Sequence, residues 1–268
     1  MGERIVLTGA SRGIGVAIAE GLGGRGAHLI LVARDEAKLE ETARRVRAAG
    51  GTSQVVAADV TKAEDRERLV EEVLRGGPPT GLVNNAGIEV PIAVVNQSEA
   101  QINRQLQVNL HAPILLTRAL VPAMVEAGRG AVVMMSSMSG KSPTPYNAIY
   151  TATKFGINGF TASLRVELEG SGVHAGVVCP SFVEGSGMWH DTGVKAPPMV
   201  KEVPLSSVVD GVIAVLDGRK NEVLVTTPLA RPLLAVTALF PSADRRVLGA
   251  LGVLDIFKER AESGYAGH

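Results

Sequence analysis

Seven short runs of β-branched and aliphatic residues, each followed by room for a helix, constrain the fold of this chain more than any other feature. They are Arg4–Leu7, His28–Val32, Gln54–Ala57, Gly81–Val83, Ala131–Met135, His174–Val178 and Glu222–Val225. Their apolar residues are mostly continuous rather than alternating with polar ones, as in strands covered on both faces. The segments between them carry a helical period. In Glu36–Ala49, Leu39, Ala43 and Val46 recur at spacings of four and three, Lys38, Glu40, Glu41, Arg44 and Arg45 face water, and Gly50-Gly51 ends the run. Ala63–Arg75, Glu99–Ala127, Ala152–Leu168 and Ser206–Leu216 read as further helices. This alternation predicts an α/β chain built on a doubly wound parallel sheet. With no repeat or linker before Pro228, residues 1–227 form one domain and 228–268 a tail that is not an independent domain.

Charge and cysteine content narrow the function. The 27 Lys and Arg balance the 27 Asp and Glu, so no global field draws the chain to nucleic acid. Cys179 is the only cysteine and allows neither an internal disulfide nor a thiolate metal cluster, so a reducing, cytoplasmic setting and no metal are expected. Ile5-Val6-Leu7 is too short a run for a signal peptide. No apolar stretch reaches the roughly 18 uncharged residues of a spanning helix, because Arg231 interrupts the run from Val223 to Phe240.

The first strand leads into Thr8-Gly9-Ala10-Ser11-Arg12-Gly13-Ile14-Gly15 and then a helical pattern. Glycines at a strand-to-helix turn let the backbone approach a pyrophosphate, whose charge the helix N-terminus stabilises. A tight turn alone would also use them. The second strand ends in Arg34-Asp35. An arginine there accommodates a ribose 2′-phosphate, and a carboxylate would hold ribose hydroxyls instead. Arg12 and Arg34 together favour NADP, with NAD possible through Asp35.

Tyr150 and Lys154 stand four apart on a helix and project from one face. A cation beside a phenol favours its ionisation, which makes the pair fit for proton exchange with a carbonyl or alcohol. Asp59-Val60, Asn84-Asn85-Ala86-Gly87 and Ser136-Ser137 follow the third, fourth and fifth strands. With the glycine loop and the Tyr-Lys pair, all in this order, residues 4 to about 226 resemble the single-domain short-chain dehydrogenase/reductase family. The resemblance implies a Rossmann-type sheet of about seven strands and NADP-linked alcohol/carbonyl chemistry. Tyr150 is then the acid/base, and Ser137, thirteen residues earlier, polarises the substrate oxygen. Lys154 lowers the phenol's pKa and bonds the nicotinamide ribose. Asn109 is the fourth catalytic residue, supporting a water chain to Lys154. Thr8 and Asn85 fix the loop and central strands, Asp59 contacts adenine, and Ala86, Gly87, Pro180 and Val183 complete the cofactor site. Ser136 in place of Ser137, and a backbone-satisfying role for Asn109, are the alternatives.

The chain departs from that pattern after the sixth strand, where Pro180-Ser181 replaces Pro-Gly and Gly185 stands near an expected threonine, with Ser186 the substitute. Val90–Val95, Ser139–Tyr146 and Phe182–Val203 are expected to bound an apolar substrate site, Trp189-His190 serving as wall or surface and Cys179 as core. The implied function is NADPH-dependent reduction of a hydrophobic ketone or aldehyde. NAD-dependent alcohol oxidation and a catalytically silent cofactor-binding protein are the alternatives. Leu115, Leu116, Leu120, Phe155, Phe160 and Leu164 predict a helix-pair interface and a homodimer or homotetramer. In the tail, Leu229, Leu233, Val236 and Phe240, then Val247, Leu251 and Leu254, predict two amphipathic helices flanked by Arg231, Arg245, Arg246, Lys258 and Arg260. Packing on the protein is favoured over peripheral membrane contact.

Overall fold

A computed structural model describes residues 2–185, 188–189, 196, 201–228, 232 and 239–262. Seven strands form one parallel sheet: β1 Arg4–Thr8, β2 His28–Ala33, β3 Thr52–Ala57, β4 Gly81–Asn84, β5 Gly130–Met135, β6 Val173–Pro180 and β7 Glu222–Val225. Their order is β3-β2-β1-β4-β5-β6-β7. The winding reverses between β1 and β4, and a crevice opens at their carboxyl ends, where ligands of such sheets bind.

Helices cover both faces, which is why the strands are apolar throughout. On one face α1 Ile14–Gly23, α2 Glu36–Ala48 and α7 Leu205–Leu216 pack Ile18, Leu22, Leu39, Val208 and Val212 against Ile5, Leu7, Leu29 and Leu31. On the other, α3 Ala63–Arg75, α5 Ala112–Glu126 and α6 Ala148–Glu167 set Leu69, Leu116, Leu120 and Ile157 against Val6, Ile30, Leu82 and Val132. Leu116 and Leu120 are thus buried in this chain's own core, although the sequence reading left them for a partner.

Several boundaries differ from expectation. The single helix over 99–127 is two, α4 Glu99–Leu106 and α5, joined by a π-helical turn at Gln107–His111. Such turns sit inside α-helices and keep every residue helical, so the segment still reads as one helix. Together they make Glu99–Glu126 the one described helical run long and apolar enough, by length and composition, to cross a membrane. Here Ala112, Leu116, Leu120 and Met124 pack in the core against the sheet. α6 begins at Ala148 rather than Ala152, which carries Tyr150 into its first turn. At Gly252, whose φ of 69° breaks the helix, the second tail helix divides into α8 Asp244–Ala250 and α9 Val253–Glu262. Leu229, Arg231, Leu233 and Val236 of the first lie outside the described residues.

Candidate active site

The crevice at the switch point is a groove lined by Gly9, Ser11, Arg12, Gly13, Ile14 and Gly15 from the first loop and Asn85, Ala86 and Gly87 from the loop after β4. The two loops are tied together. Thr8 Oγ1 accepts from the backbone N–H groups of Asn85 at 3.0 Å and Ala86 at 3.1 Å, and Asn85 Nδ2 donates to the carbonyls of Thr8 and Gly9 at 3.0 and 3.1 Å. A Cβ at Gly15 would lie 2.1 Å from the Gly9 carbonyl oxygen, and Gly9 and Gly13 have φ of 68° and 59°. These glycines therefore serve the turn itself as well as any ligand.

The groove fits an anionic dinucleotide. Helix α1 opens at Gly13 with no side chain bonding its first-turn N–H groups and no acidic residue beside them, so that positive end faces the groove. Farther along, Arg34, Asp35, Lys38, Asp59 and Val60 line it. Asp35 is engaged locally: its Oδ1 accepts from the Lys38 N–H at 3.1 Å as the N-cap of α2. Burial raises the Asp59 carboxyl's pKa, but bonds from Thr61 and the Arg34 charge outweigh it and hold it below the usual range. Lys38 and Arg104, which line the same groove, have no motif to mark them in the sequence.

The catalytic candidates converge next to this groove. Tyr150 and Lys154 are buried one turn apart on α6. Lys154 Nζ donates to the Met135 carbonyl at 2.8 Å and stands 5.4 Å from the centroid of the Tyr150 ring. Ser137, in the turn after β5, borders the same cavity as the phenol and acts to lower its pKa; its Oγ accepts from the Ser139 N–H at 3.1 Å. Ser136 instead donates to the Lys154 carbonyl at 3.3 Å. The expected lowering of the phenol's pKa is not what the surroundings produce. Burial first, then the Glu89 carboxylate, raise it, outweighing the Ser137 bond and the Arg260 charge that lower it. Burial meanwhile lowers Lys154 to about 8.

Asn109 lies in the π turn and bonds the Ile88 backbone both ways, accepting from its N–H and donating to its carbonyl, each at 2.8 Å. The backbone-satisfying alternative thus describes its bonds to Ile88, while Nδ2 also donates to Thr153 Oγ1 at 3.4 Å. Yet a Cβ at Gly87 would sit 3.5 Å from Asn109 Oδ1 and 3.8 Å from Lys154 Nζ, so both side chains border the space beside Gly87. Cys179 is a buried core thiol whose pKa burial raises to about 12.

Beyond Tyr150 opens a cavity of about 200 Å³ bordered by Ser137, Ser142, Thr144, Pro180, Val183 and Trp189. Val90–Val95 does not border it as expected: Val94 and Val95 are exposed. Ser186, His190, Pro197, Pro198 and Met199 lie outside the described residues. The far wall is the tail, where Leu248, Val253 and Phe257 pack on Tyr146 and Phe182. Arg260, expected to flank the tail helix in water, is buried instead and pairs with Glu89 through two bonds of 2.7 Å.

Glu89, Asn147 and Arg260 were all missed by sequence reasoning. A signal existed for the last: Val253, Phe257 and Arg260, spaced four and three, fall on one helical face, so an arginine occupies a core position.

Residues 3–196 match the family model for short chain dehydrogenases. The ketoacyl reductase HetN of Nostoc sp. is 37% identical over 268 residues, covering 98% of this chain and 93% of the relative. A short-chain dehydrogenase from Sphingobium yanoikuyae, solved in complex with NADPH, superposes with a TM-score of 0.76 at 29% identity, covering 93% of this chain and 95% of that one. A metagenomic short-chain oxidoreductase, solved with NADP, gives 0.72 at 34% identity, covering 84% of this chain and 97% of that one.

Proposed function

The chain belongs to the short-chain dehydrogenase family, and we propose that it is an NADPH-dependent reductase of hydrophobic ketones or aldehydes, ketoacyl compounds among them. One observation carries the reading: a buried phenol, held in its protonated form, shares with Ser137 an apolar cavity that adjoins an anion-suited groove. NADPH, when bound, supplies the hydride that reaches the carbonyl carbon. Tyr150 gives its proton to the carbonyl oxygen, Ser137 orients that oxygen, and the Lys154 ammonium stabilises the phenolate left behind.

The groove's first loop, Thr8, Asn85 and the Asp59-Val60 turn would hold the nucleotide. Arg12 and Arg34 would favour the 2′-phosphate, since Asp35 is engaged as a helix cap, and Pro180 and Val183 would flank the nicotinamide. NADP- and NADPH-bound neighbours and a relative named a ketoacyl reductase support the choice of cofactor and substrate class. Asn109 would line a proton route to Lys154. A homo-oligomer in a cytoplasmic setting completes the reading, supported by exposed Phe155 and Val166 on α6 and by a single, buried thiol.

Loss of reduced-nicotinamide absorbance in a panel of apolar ketones and ketoacyl thioesters tests it. Turnover faster with NADPH than with NADH is expected. No turnover above background, or a preference for NADH, overturns it.

A further inference from the structure

Glu89 and Arg260 are a carboxylate and a guanidinium removed from water on otherwise apolar surfaces. Arg260 is 1% exposed and shares a face of α9 with Val253 and Phe257; Glu89 is 6% exposed between Ile88 and Val90, just past β4. Nη1 donates to Oε1 and Nη2 to Oε2, both at 2.7 Å, across 171 residues of sequence. Nη2 also reaches the Met188 carbonyl at 3.2 Å, and the Asn147 amide donates to Glu89 Oε1. Replacing such a pair with apolar residues often leaves stability unharmed. What the pair adds is direction, because a planar fork on a carboxylate fixes both rotation and height of the helix that carries it.

We infer that the Glu89–Arg260 pair is a latch that seats the C-terminal helix α9 as the far wall of the active-site cavity, and thereby makes bulky apolar carbonyl compounds its preferred ligands. The inference rests on the carbonyl-reductase reading of the cavity and names the determinant of its selectivity. The wall is aromatic: Phe182 and Trp189 lie 4.3 Å apart between ring centroids, and Phe257 lies 6.2 Å from each. Leu248 and Val253 extend it. A small ketone held at Ser137 and Tyr150 meets little of this surface. A bulky one meets most of it, and loses those contacts when the helix is no longer fixed.

Trp189, the chain's only tryptophan, reports on the wall directly, with the Arg260 guanidinium 5.5 Å from its ring. Two variants test the latch: Arg260→Met, and the double Glu89→Leu/Arg260→Met, which leaves no uncompensated buried charge. The readouts are Trp189 emission, affinity for menthone by quenching of that emission, the menthone-to-acetone ratio of kcat/KM, and NADPH affinity as the control on folding. The double variant is expected to melt cooperatively and bind NADPH, with emission shifted to longer wavelength. Its menthone affinity and kcat/KM ratio should fall by about tenfold or more, the scale on which lost apolar contacts discriminate in a pocket.

Unshifted emission overturns the latch, and shifted emission with unchanged menthone affinity overturns its part in selectivity. If emission and menthone binding change as stated while no carbonyl is turned over by the unaltered chain, the latch stands and the reductase reading fails. Should the double variant not fold, Arg260→Lys, which keeps the charge and loses the fork, carries the same outcomes.

Discussion

A phenol and an ammonium buried one helical turn apart are each driven toward the neutral form, the phenol by keeping its proton and the ammonium by giving one up. Burial and then Glu89 raise Tyr150, so it meets a carbonyl as an acid. Tyr150→Phe is therefore expected to lower turnover by about 10² or more with NADPH affinity nearly intact; near-normal turnover would remove Tyr150 from its role. Burial lowers Lys154 from 10.5 to about 8. Its ammonium persists below that pH and is lost above it, so kcat/KM for reduction should decline as pH rises through about 8. A profile flat through that range refutes the assignment. Stability carries the opposite slope. Between about 8 and 10.5 the unfolded chain holds a proton that folded Lys154 has released, so this group's contribution to stability rises with pH across that window. Denaturant midpoints of Lys154→Met should lack that rise. The Tyr150–Lys154 pair was legible in the sequence because residues four apart share one helix face, whereas Ser137, in the turn after β5, was named only through the family resemblance. The pairing of Glu89 with Arg260 was not legible, because an ion pair spanning 171 residues leaves Glu89 looking like a solvated charge and Arg260 marked only by its place on the Val253–Phe257 face.

Elements were legible where burial imposes one pattern and illegible where the pattern tolerates several geometries. All seven strands stand where continuous apolar runs put them, since a sheet covered on both faces allows no alternation. The π turn at Gln107–His111 left no trace, because inserting it keeps every residue helical. The start of α6 was misplaced by four residues although Asn147 is of a type that starts helices; its side chain makes no cap bond and its amide donates to Glu89 instead. The β2–α2 turn shows how local structure resolves an open choice. Arg34 and Asp35 both border the groove, but the Asp35 carboxylate caps α2 and pairs with Lys38 at 3.6 Å. Arg34→Asp removes a charge-assisted bond to phosphate worth about 1.5–3 kcal/mol and adds repulsion. Preference for NADPH over NADH should fall about tenfold or more, measured as the ratio of kcat/KM for the two cofactors. An unchanged ratio would show that Arg34 does not read the 2′-phosphate.

At the scale of the whole molecule, two apolar surfaces of different kinds among the described residues bear on assembly. On α6, Phe155 and Val166 are 46% and 69% exposed, and Val125 on α5 is 39% exposed. They support the helix-pair assembly, and light scattering at micromolar concentration should give a mass above that of one chain; a monomer alone refutes it. The other surface is the one that α8 and α9 cover. Leu248, Val253 and Phe257 are buried against Tyr146 and Phe182, with Arg260 beneath them, so these residues turn the apolar face of the two helices onto this protein. The sequence showed the amphipathic spacing but could not say what the stripe would cover, since the same stripe serves a core or a membrane. Truncation before Pro228 removes both helices and leaves the groove loops, which are built from residues before β5. The truncated chain should bind NADPH with nearly unchanged affinity. It should also bind an apolar reporter dye more strongly than the full chain, and lose affinity for a bulky apolar ketone. Unchanged dye and ketone binding after truncation would show that α8 and α9 do not wall the cavity. Co-flotation of the full chain, but not the truncated one, with anionic liposomes would show that the stripe faces lipid instead.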